Sequence, residues 1–136
     1  MNKHALRIFK ESSGNINELK NLLSEDVVFS SPIFTKPVEG KDLVAEVMMT
    51  SSSVRNGKFT HEFQQDNETV LIWEGIIDGH KLISFELLIN DEQGKIKYRS
   101  VAFKPFPVVE LFRTAMYKQL KNIIPEDMWH LQQVEL

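Results

Sequence analysis

The sequence contains no cysteine, and this absence removes a whole group of chemistries from consideration. A chain without thiols forms no disulfide bonds, has no thiolate nucleophile, and holds no cysteine-ligated zinc or iron–sulfur cluster. Histidine offers little replacement, because His4, His61, His80 and His130 are dispersed and none forms a close ligand pair. We therefore expect no metal site, and only chemistry that needs no thiol.

Long apolar runs and an excess of basic residues are also missing. No segment reaches the roughly 18 consecutive apolar residues that cross a bilayer, and the first residues lack the apolar region of a signal peptide. The net charge is −3 and the isoelectric point is about 5.8, so the chain lacks an excess of Lys and Arg to neutralise nucleic-acid phosphates. The sequence predicts a cytoplasmic protein that binds neither membranes nor nucleic acid.

Nucleotide and serine-nucleophile motifs are absent as well. The sequence has no glycine-rich phosphate loop, no dinucleotide-binding fingerprint and no nucleophile elbow. We therefore expect no cofactor. The length of 136 residues, with 42% hydrophobic and 26% charged residues, is typical of one globular domain, here spanning residues 1–136.

The first half of the chain is predicted to be mainly helical. Apolar residues recur at helical spacing before and after a break at residues 12–14, and Asn15 is a candidate cap for the second helix. A short strand is predicted at residues 26–30. A further helix should follow Gly40 and end at residues 51–53.

The second half changes to the two-residue period of strands. Alternation begins near Lys58, and further strands are predicted at residues 69–77, 80–90 and 96–103. Asp78 and Gly79 form a dipeptide preferred in tight hairpins. A helix over residues 108–124 and a short helical turn after Pro125 complete the prediction. The expected fold is α+β, with helices flanking a mostly antiparallel sheet.

Several short segments resemble nuclear transport factor 2-like domains, particularly their SnoaL-like (polyketide cyclase-like) branch. These segments are residues 23–29 with Pro32, Glu39-Gly40-Lys41, Asp78-Gly79-His80, residues 91–96 and residues 103–107. Lys104 occupies a position where that branch usually has Arg. The resemblance covers roughly residues 20–116. It implies a cone-shaped, cystatin-like fold in which a strongly curved sheet and the early helices enclose a cavity, and it implies frequent homodimers through the sheet.

Glu86 is the first candidate catalytic residue. It lies on the same alternation as Ser84 and Leu88, and an acidic residue is common at the similar position of SnoaL-like sequences. In an apolar cavity, desolvation would raise its pKa above about 4.3, toward a value suited to a general base. Alternatively its row faces solvent or a dimer interface, where it pairs with Lys or Arg. The opposite row is wholly apolar and consists of Ile83, Phe85, Leu87 and Ile89.

His61 is the second candidate catalytic residue. It lies between Phe59 and Phe63, and strand alternation places all three on one face, where His61 could act with Glu86. The alternative is a core histidine hydrogen-bonded to backbone or water. Glu74 is a further carboxylate candidate, and its side of the sheet is left open because Ile72 and Ile76 flank it.

Aromatic residues could form the walls of a ligand site, because small-molecule pockets combine apolar walls with a few polar groups. Tyr98 could also stabilise a developing oxyanion, and a structural or surface position is its alternative. For all of these residues the alternative is an ordinary core position. The candidate ligand-binding residues are Phe29, Phe34, Phe59, Trp73, Tyr98 and Trp129.

Two functional classes fit these observations. One is a cofactor-independent isomerase, cyclase or dehydratase that uses Glu86 or His61 as a base on a small apolar carbonyl compound. The other is a non-catalytic module for ligand binding or dimerisation. The enzyme requires an open cavity with a desolvated acid–base group. The module instead predicts an exposed apolar face on the sheet.

Overall fold

The computed structural model describes residues 2–130, and its architecture is α+β, as the sequence predicts. The helices are α1 (Ala5–Glu11), α2 (Ile16–Leu22), α3 (Lys41–Ser53) and α4 (Phe106–Leu120). The strands are β1 (Leu23–Ser30), β2 (Val38–Glu39), β3 (Asn56–Gln65), β4 (Glu68–Ile77), β5 (His80–Asn90) and β6 (Ile96–Lys104). A short 3₁₀ turn, Glu126–Met128, follows Pro125 as predicted.

The strands form one six-stranded sheet in the order β2-β1-β6-β5-β4-β3. Neighbouring strands are antiparallel except β1 and β6, which run parallel. Strands β3 to β6 therefore make the predicted meander. Asp78 and Gly79 both have positive φ, 48° and 77°, which is the backbone of a two-residue hairpin turn. β2 has only two residues and is too short to give a periodic signal.

The N-terminal helices follow the sequence signals closely. Asn15 caps α2, because its side chain accepts a hydrogen bond from the Glu18 backbone N–H while the Glu18 carboxylate accepts one from Asn15. Leu23 follows Leu19 and Leu22 at helical spacing, yet it begins β1. The first strand is therefore three residues longer at its start than the predicted segment, 26–30.

The two faces of the sheet have different surroundings. The inner face packs against the helices, and its residues on β4 and β5 include Leu71, Ser84, Glu86 and Leu88, all buried. The outer face carries the alternate residues. Its apolar row on β5 is exposed or half-buried and consists of Ile83, Phe85, Leu87 and Ile89. The structure thus places Glu86 inside.

A β-bulge in β3 contradicts the prediction that Phe59, His61 and Phe63 share one face. Phe59 pairs with Trp73 and His61 pairs with Ile72, so one extra residue, Thr60, is inserted between them. An extra residue shifts the alternation by one position. Phe59 therefore points inward and is buried, whereas His61 and Phe63 lie exposed on the outer face with their rings stacked.

None of the helices within residues 2–130 is long and apolar enough to cross a lipid bilayer.

Candidate functional site

A cavity of about 490 Å³ lies between the helices and one end of the β3–β4 hairpin. Its walls come from the second half of α1 and the residues after it, from the last turn of α3, from the α3–β3 connection, and from β3 and β4. This volume is within the range of small-molecule sites. The lining residues are Phe9, Lys10, Ser13, Gly14, Met49, Ser52, Ser53, Arg55, Asn56, Gly57 and Trp73.

Lys10 reaches the cavity because α1 is fixed firmly to the sheet. The Glu62 carboxylate on β3 accepts a hydrogen bond from the His4 backbone N–H at 2.7 Å and from Arg7 Nη1 at 3.2 Å. The His4 ring in turn caps α1 by accepting from the Leu6 N–H at 3.0 Å. Lys10 lies one helical turn after Leu6, on the stripe of α1 that faces the core.

Trp73 forms an aromatic wall of the cavity. Gly57 on β3 and Gly75 on β4 are cross-strand partners, and a Cβ atom at either position would overlap the Trp73 indole ring. The two glycines therefore leave room for the ring beside the strands. Arg55 lies over the ring, with its Cζ atom 4.6 Å from the ring centroid.

Glu86 and Arg99 form a buried ion pair on the inner face, next to this cavity. Arg99 Nη2 donates to Glu86 Oε2 at 2.6 Å, and both side chains are 2% exposed. Burial by itself would raise the pKa of Glu86. The positive charges of Arg99, Lys10 and Arg55, together with the Arg99 hydrogen bond, outweigh burial and lower the pKa to about 2.

This pKa is the opposite of the predicted shift. The prediction considered desolvation in an apolar cavity, but the structure surrounds the carboxylate with cations. Glu86 is therefore ionised at neutral pH and is a weak base, and it does not line the cavity. The alternative, that its row faces solvent or a dimer interface, is wrong about the location, because Glu86 pairs with an Arg in the protein interior.

Arg55 and Lys10 are the other charged groups of the site. Burial and the nearby Arg99 charge lower the pKa of Arg55 to about 10, despite the opposing effect of Glu86. Burial likewise lowers the pKa of Lys10 to about 7; Glu86 opposes this shift, and the Arg99 and Arg55 charges add to it. Lys10 can therefore both take up and release a proton near neutral pH.

Arg55 also lines a second, narrower space deeper in the fold. This space has a volume of about 10 Å³, room for about one water molecule, and Arg99 borders it. Two buried polar atoms have no hydrogen-bond partner among the described residues, namely Glu86 Oε1 and Arg99 Nε. The interior of the fold thus holds polar groups with unused hydrogen-bonding capacity.

The predicted ligand-binding aromatics are divided between the cavity, the core and the outer face. Trp73 lines the cavity, and Phe29 and Phe34 line the narrow space beside Arg99. Phe59 is buried next to the cavity, with Lys10 Nζ 5.9 Å from its ring centroid. These four residues are brought to one region of the fold.

Four other candidates lie away from the cavity. Trp129 is a core residue, in edge contact with Phe34 at 4.9 Å and bonded through its indole N–H to the Ile124 carbonyl. Tyr98 alternates with inward-facing Arg99 and so lies on the outer face. Glu74 is exposed on the outer face of β4, and His61 is displaced there by the bulge.

The sequence prediction missed Lys10, Arg55 and Arg99. Arg99 carries a usable signal, because it alternates with Val101 and Phe103 on β6 and so shares their inner face. Lys10 carries a weaker signal, a single cation on the apolar stripe of α1. Arg55 lies in a short connection with no periodicity, so its position depends on the tertiary structure alone.

Among residues 2–130, no group of three or more acidic or histidine side chains is arranged to hold a metal ion. The polar and aromatic side chains that line the cavity provide an amine, a guanidinium, hydroxyl groups, an amide and an indole.

Solved structures with the same fold were found at low sequence identity. An uncharacterized bacterial protein with a cystatin-like fold from Silicibacter pomeroyi DSS-3 has a TM-score of 0.82 at 23% identity, over 90% of this chain and 89% of that chain. A steroid delta-isomerase from Pseudomonas aeruginosa has a TM-score of 0.80 at 20% identity, over 86% and 87%. A SnoaL-like family protein from Agrobacterium tumefaciens C58 has a TM-score of 0.56 at 14% identity, over 71% and 84%.

These matches confirm, at the level of the fold, the resemblance to nuclear transport factor 2-like and SnoaL-like proteins, and further nuclear transport factor 2-like proteins match in the same way. No protein-family model matches the sequence, and no curated protein matches it. The comparisons therefore establish the architecture and do not establish the function.

Proposed function

We propose that this protein binds a small organic molecule in the cavity between α1, the end of α3 and the β3–β4 hairpin. The observation that carries the proposal is the cavity itself, about 490 Å³, with an aromatic wall at Trp73 and the cations Lys10 and Arg55, whose side chains have no ion-pair partner between residues 2 and 130. Apolar walls that bear a few converging polar groups are typical of ligand sites.

Fluorescence of Trp73 tests this proposal directly. The chain has two tryptophans, and the other, Trp129, is buried in the core away from the cavity. A library of small aromatic and alicyclic compounds should contain members that saturably change the emission of the wild-type protein. Trp73→Phe should abolish the change while Trp129 remains as an internal reference. A library in which every compound leaves Trp73 unaffected contradicts the proposal.

Isomerase-type proton transfer is a second candidate function, and Lys10 is the observation that favours it. Its amine lines the cavity and has a pKa of about 7, near the value at which a general acid–base group is most useful. The neutral amine could take a proton from a carbon beside a carbonyl and return it to another carbon. Arg55 would stabilise the enolate oxygen. A steroid delta-isomerase has the same fold, which is compatible with this chemistry.

Deuterium exchange tests the catalytic candidate. Aryl ketones such as phenylacetone, incubated with the protein in D₂O, should lose their α-proton NMR signals faster than in buffer. Lys10→Met should abolish the acceleration, and Lys58→Met, which removes an exposed lysine of β3, should not. Acceleration that survives Lys10→Met would contradict the assignment of Lys10 as the base.

We also propose that two copies of the chain associate through the outer face of the sheet. This face exposes large apolar side chains, including Phe63, Phe85 and Ile76 at 58%, 38% and 48% exposure. Glu74 and Lys104 flank Ile83 on the two neighbouring strands. A two-fold axis near Ile83 would set the acid of each copy against the base of the other, which favours a second copy as the partner.

Light scattering after gel filtration tests the dimer. The mass of the chain is 15.8 kDa, and the wild type should elute with twice this mass. Phe85→Glu should give a monomer, whereas Ile123→Glu, at an exposed apolar position after α4, should leave the mass unchanged. A monomeric wild type would contradict the dimer and leave the cavity proposal standing.

A further inference from the structure

The cavity contains more positive than negative charge. The side chains of Lys10 and Arg55 both line it, and neither side chain forms a hydrogen bond or an ion pair with another residue between 2 and 130. Their contacts are with rings instead, Lys10 with Phe59 and Arg55 with Trp73 and Phe112. The one carboxylate that acts on both, Glu86, is already bonded to Arg99.

Unpaired cations in a partly desolvated site are costly, and a bound anion relieves that cost. The expected charge of the anion follows from the surroundings. Glu86 and Arg99 neutralise each other, which leaves the charge of Arg55 and, when Lys10 is protonated, the charge of Lys10. The C-terminal ends of α1 and α3 also meet the cavity, and each contributes about half a negative charge. About one positive charge then remains, which suits a monoanion better than a phosphate dianion.

The remaining walls indicate how the rest of the ligand would lie. Phe9, Met49 and Trp73 offer apolar surface, and Ser52 and Asn56 offer hydrogen-bonding groups. A guanidinium binds the two oxygens of a carboxylate in one plane, and a lysine amine can approach from the side. The cavity is therefore shaped for a molecule with one acidic end and one apolar end.

We propose that the ligand of this cavity is a small organic carboxylate, held by its carboxylate between Arg55 and Lys10 and by its apolar body against Trp73. This inference rests on the proposed ligand-binding function and names the class of ligand. In the complex the carboxylate keeps Lys10 protonated. Toward such a ligand Lys10 can therefore act as a general acid and not as a general base.

Binding should also depend on pH, since neutral Lys10 offers no charge to the carboxylate. Lys10 faces Glu86 and Arg99 from the sheet and Arg55 from the α3–β3 connection, and Arg7 and Glu11 share its helix. Because the pKa of Lys10 is about 7, the affinity for the carboxylate should fall as the pH rises from 6 to 9. At the upper end of this range Lys10 should take up one proton when the ligand binds.

A matched pair of probes, phenylacetate and phenylacetamide, tests the inference, with Trp73 emission and calorimetry at low salt as readouts. At pH 6.5 the acid should bind at least roughly tenfold more tightly than the amide. Arg55→Met should remove this preference without weakening the amide. Lys10→Met should remove the pH dependence. Lys58 is exposed on the same strand as the cavity residue Gly57, so Lys58→Met should change neither the preference for the acid nor the pH dependence.

Other results with these probes would overturn the carboxylate inference, the binding function or both. If acid and amide bind equally, the carboxylate inference is wrong while the binding function stands. If neither these probes nor the wider library binds, both are wrong. If phenyl phosphate binds more tightly than phenylacetate, the site is a phosphate site and the commitment to a carboxylate is overturned. If Arg55→Met unfolds, the Lys10→Met pH profile decides the same question.

Discussion

Glu86 lies where strand alternation places it, on the inner face of β5, yet its pKa is shifted in the direction opposite to that expected for an apolar cavity. The expectation depended on a single residue, whereas the shift depends on three cations contributed by α1, by the α3–β3 connection and by β6. Strand periodicity can give the face of a residue. It cannot give the charges that other elements bring to that face.

Replacing Glu86 by Gln should destabilise the protein severely. The substitution leaves Arg99, Arg55 and Lys10 without a nearby anion in the interior, and breaking a buried ion pair of this kind costs about 3–5 kcal/mol. Urea unfolding followed by circular dichroism would measure the loss. Glu74→Gln is the matched control, since Glu74 is exposed on the neighbouring strand and should cost less than about 0.5 kcal/mol. Equal losses for the two variants would contradict the role of Glu86.

Lys10 should titrate near neutral pH, because burial and the charges of Arg99 and Arg55 outweigh the attraction of Glu86. Its amine can be followed by NMR after ¹³C-methylation of the lysines, with Lys10→Met to assign the signal. Arg55→Met removes one repulsive charge and should raise the pKa of Lys10. A Lys10 signal that titrates near its ordinary pKa of 10.5 would show that the amine is solvated. It would contradict Lys10 as a base and the predicted pH dependence of carboxylate binding.

At the scale of elements, the sequence predicts most helices and strands correctly because their signals are local. The capping residue Asn15, the turn at Asp78-Gly79 and the alternation through β5 each depend only on neighbouring residues. Two features are not local. The parallel pairing of β1 with β6 joins distant segments, and the bulge at Thr60 is a property of the pairing between β3 and β4. Because of this bulge, the prediction placed His61 on the wrong face of the sheet.

The position of α1 decides whether Lys10 reaches the cavity, and Glu62 holds that helix. Burial would raise the pKa of Glu62, but hydrogen bonds from Gln64, the His4 backbone and Arg7, together with the Arg7 charge, lower it. Glu62→Ala should cost about 1–3 kcal/mol and leave the His4 N–H without this partner.

Hydrogen exchange measured by mass spectrometry checks this prediction. Protection should fall in residues 5–11 and remain in β4–β6, and ligand binding should weaken with it. Glu68→Ala, at an exposed carboxylate near the same hairpin, is the control and should change neither quantity. Unchanged exchange in α1 would mean that other contacts position Lys10.

At the scale of the whole molecule, the candidate site combines segments that are far apart in the sequence. Lys10, Arg55, Trp73 and the Glu86–Arg99 pair come from five different parts of the chain, and only the folded sheet and helices bring them together. The cavity-facing cations therefore have no shared sequence motif, which explains why they were missed while the fold was predicted.

Acid should destabilise the folded protein through Glu86. Its pKa falls from an ordinary value of 4.5 to about 2 on folding, so the stability it contributes is complete above pH 4.5 and is lost as the pH falls toward 2. From this residue alone, the free energy of unfolding should be on the order of 2 kcal/mol lower at pH 3 than at pH 6. Urea titrations at several pH values would measure the slope, and stability that is constant from pH 6 to pH 3 would contradict it.

The most direct test of the cavity as a binding site is a two-dimensional ¹H–¹⁵N NMR spectrum recorded with and without phenylacetate. We expect the Trp73 indole N–H and the backbone amides of Gly14, Ser53 and Gly57 to shift together and saturate at one affinity, while the amides of Phe63 and Phe85 on the outer face do not move. Shifts confined to the outer face, or a spectrum unchanged at millimolar ligand, would contradict the proposal that this cavity binds a small carboxylate.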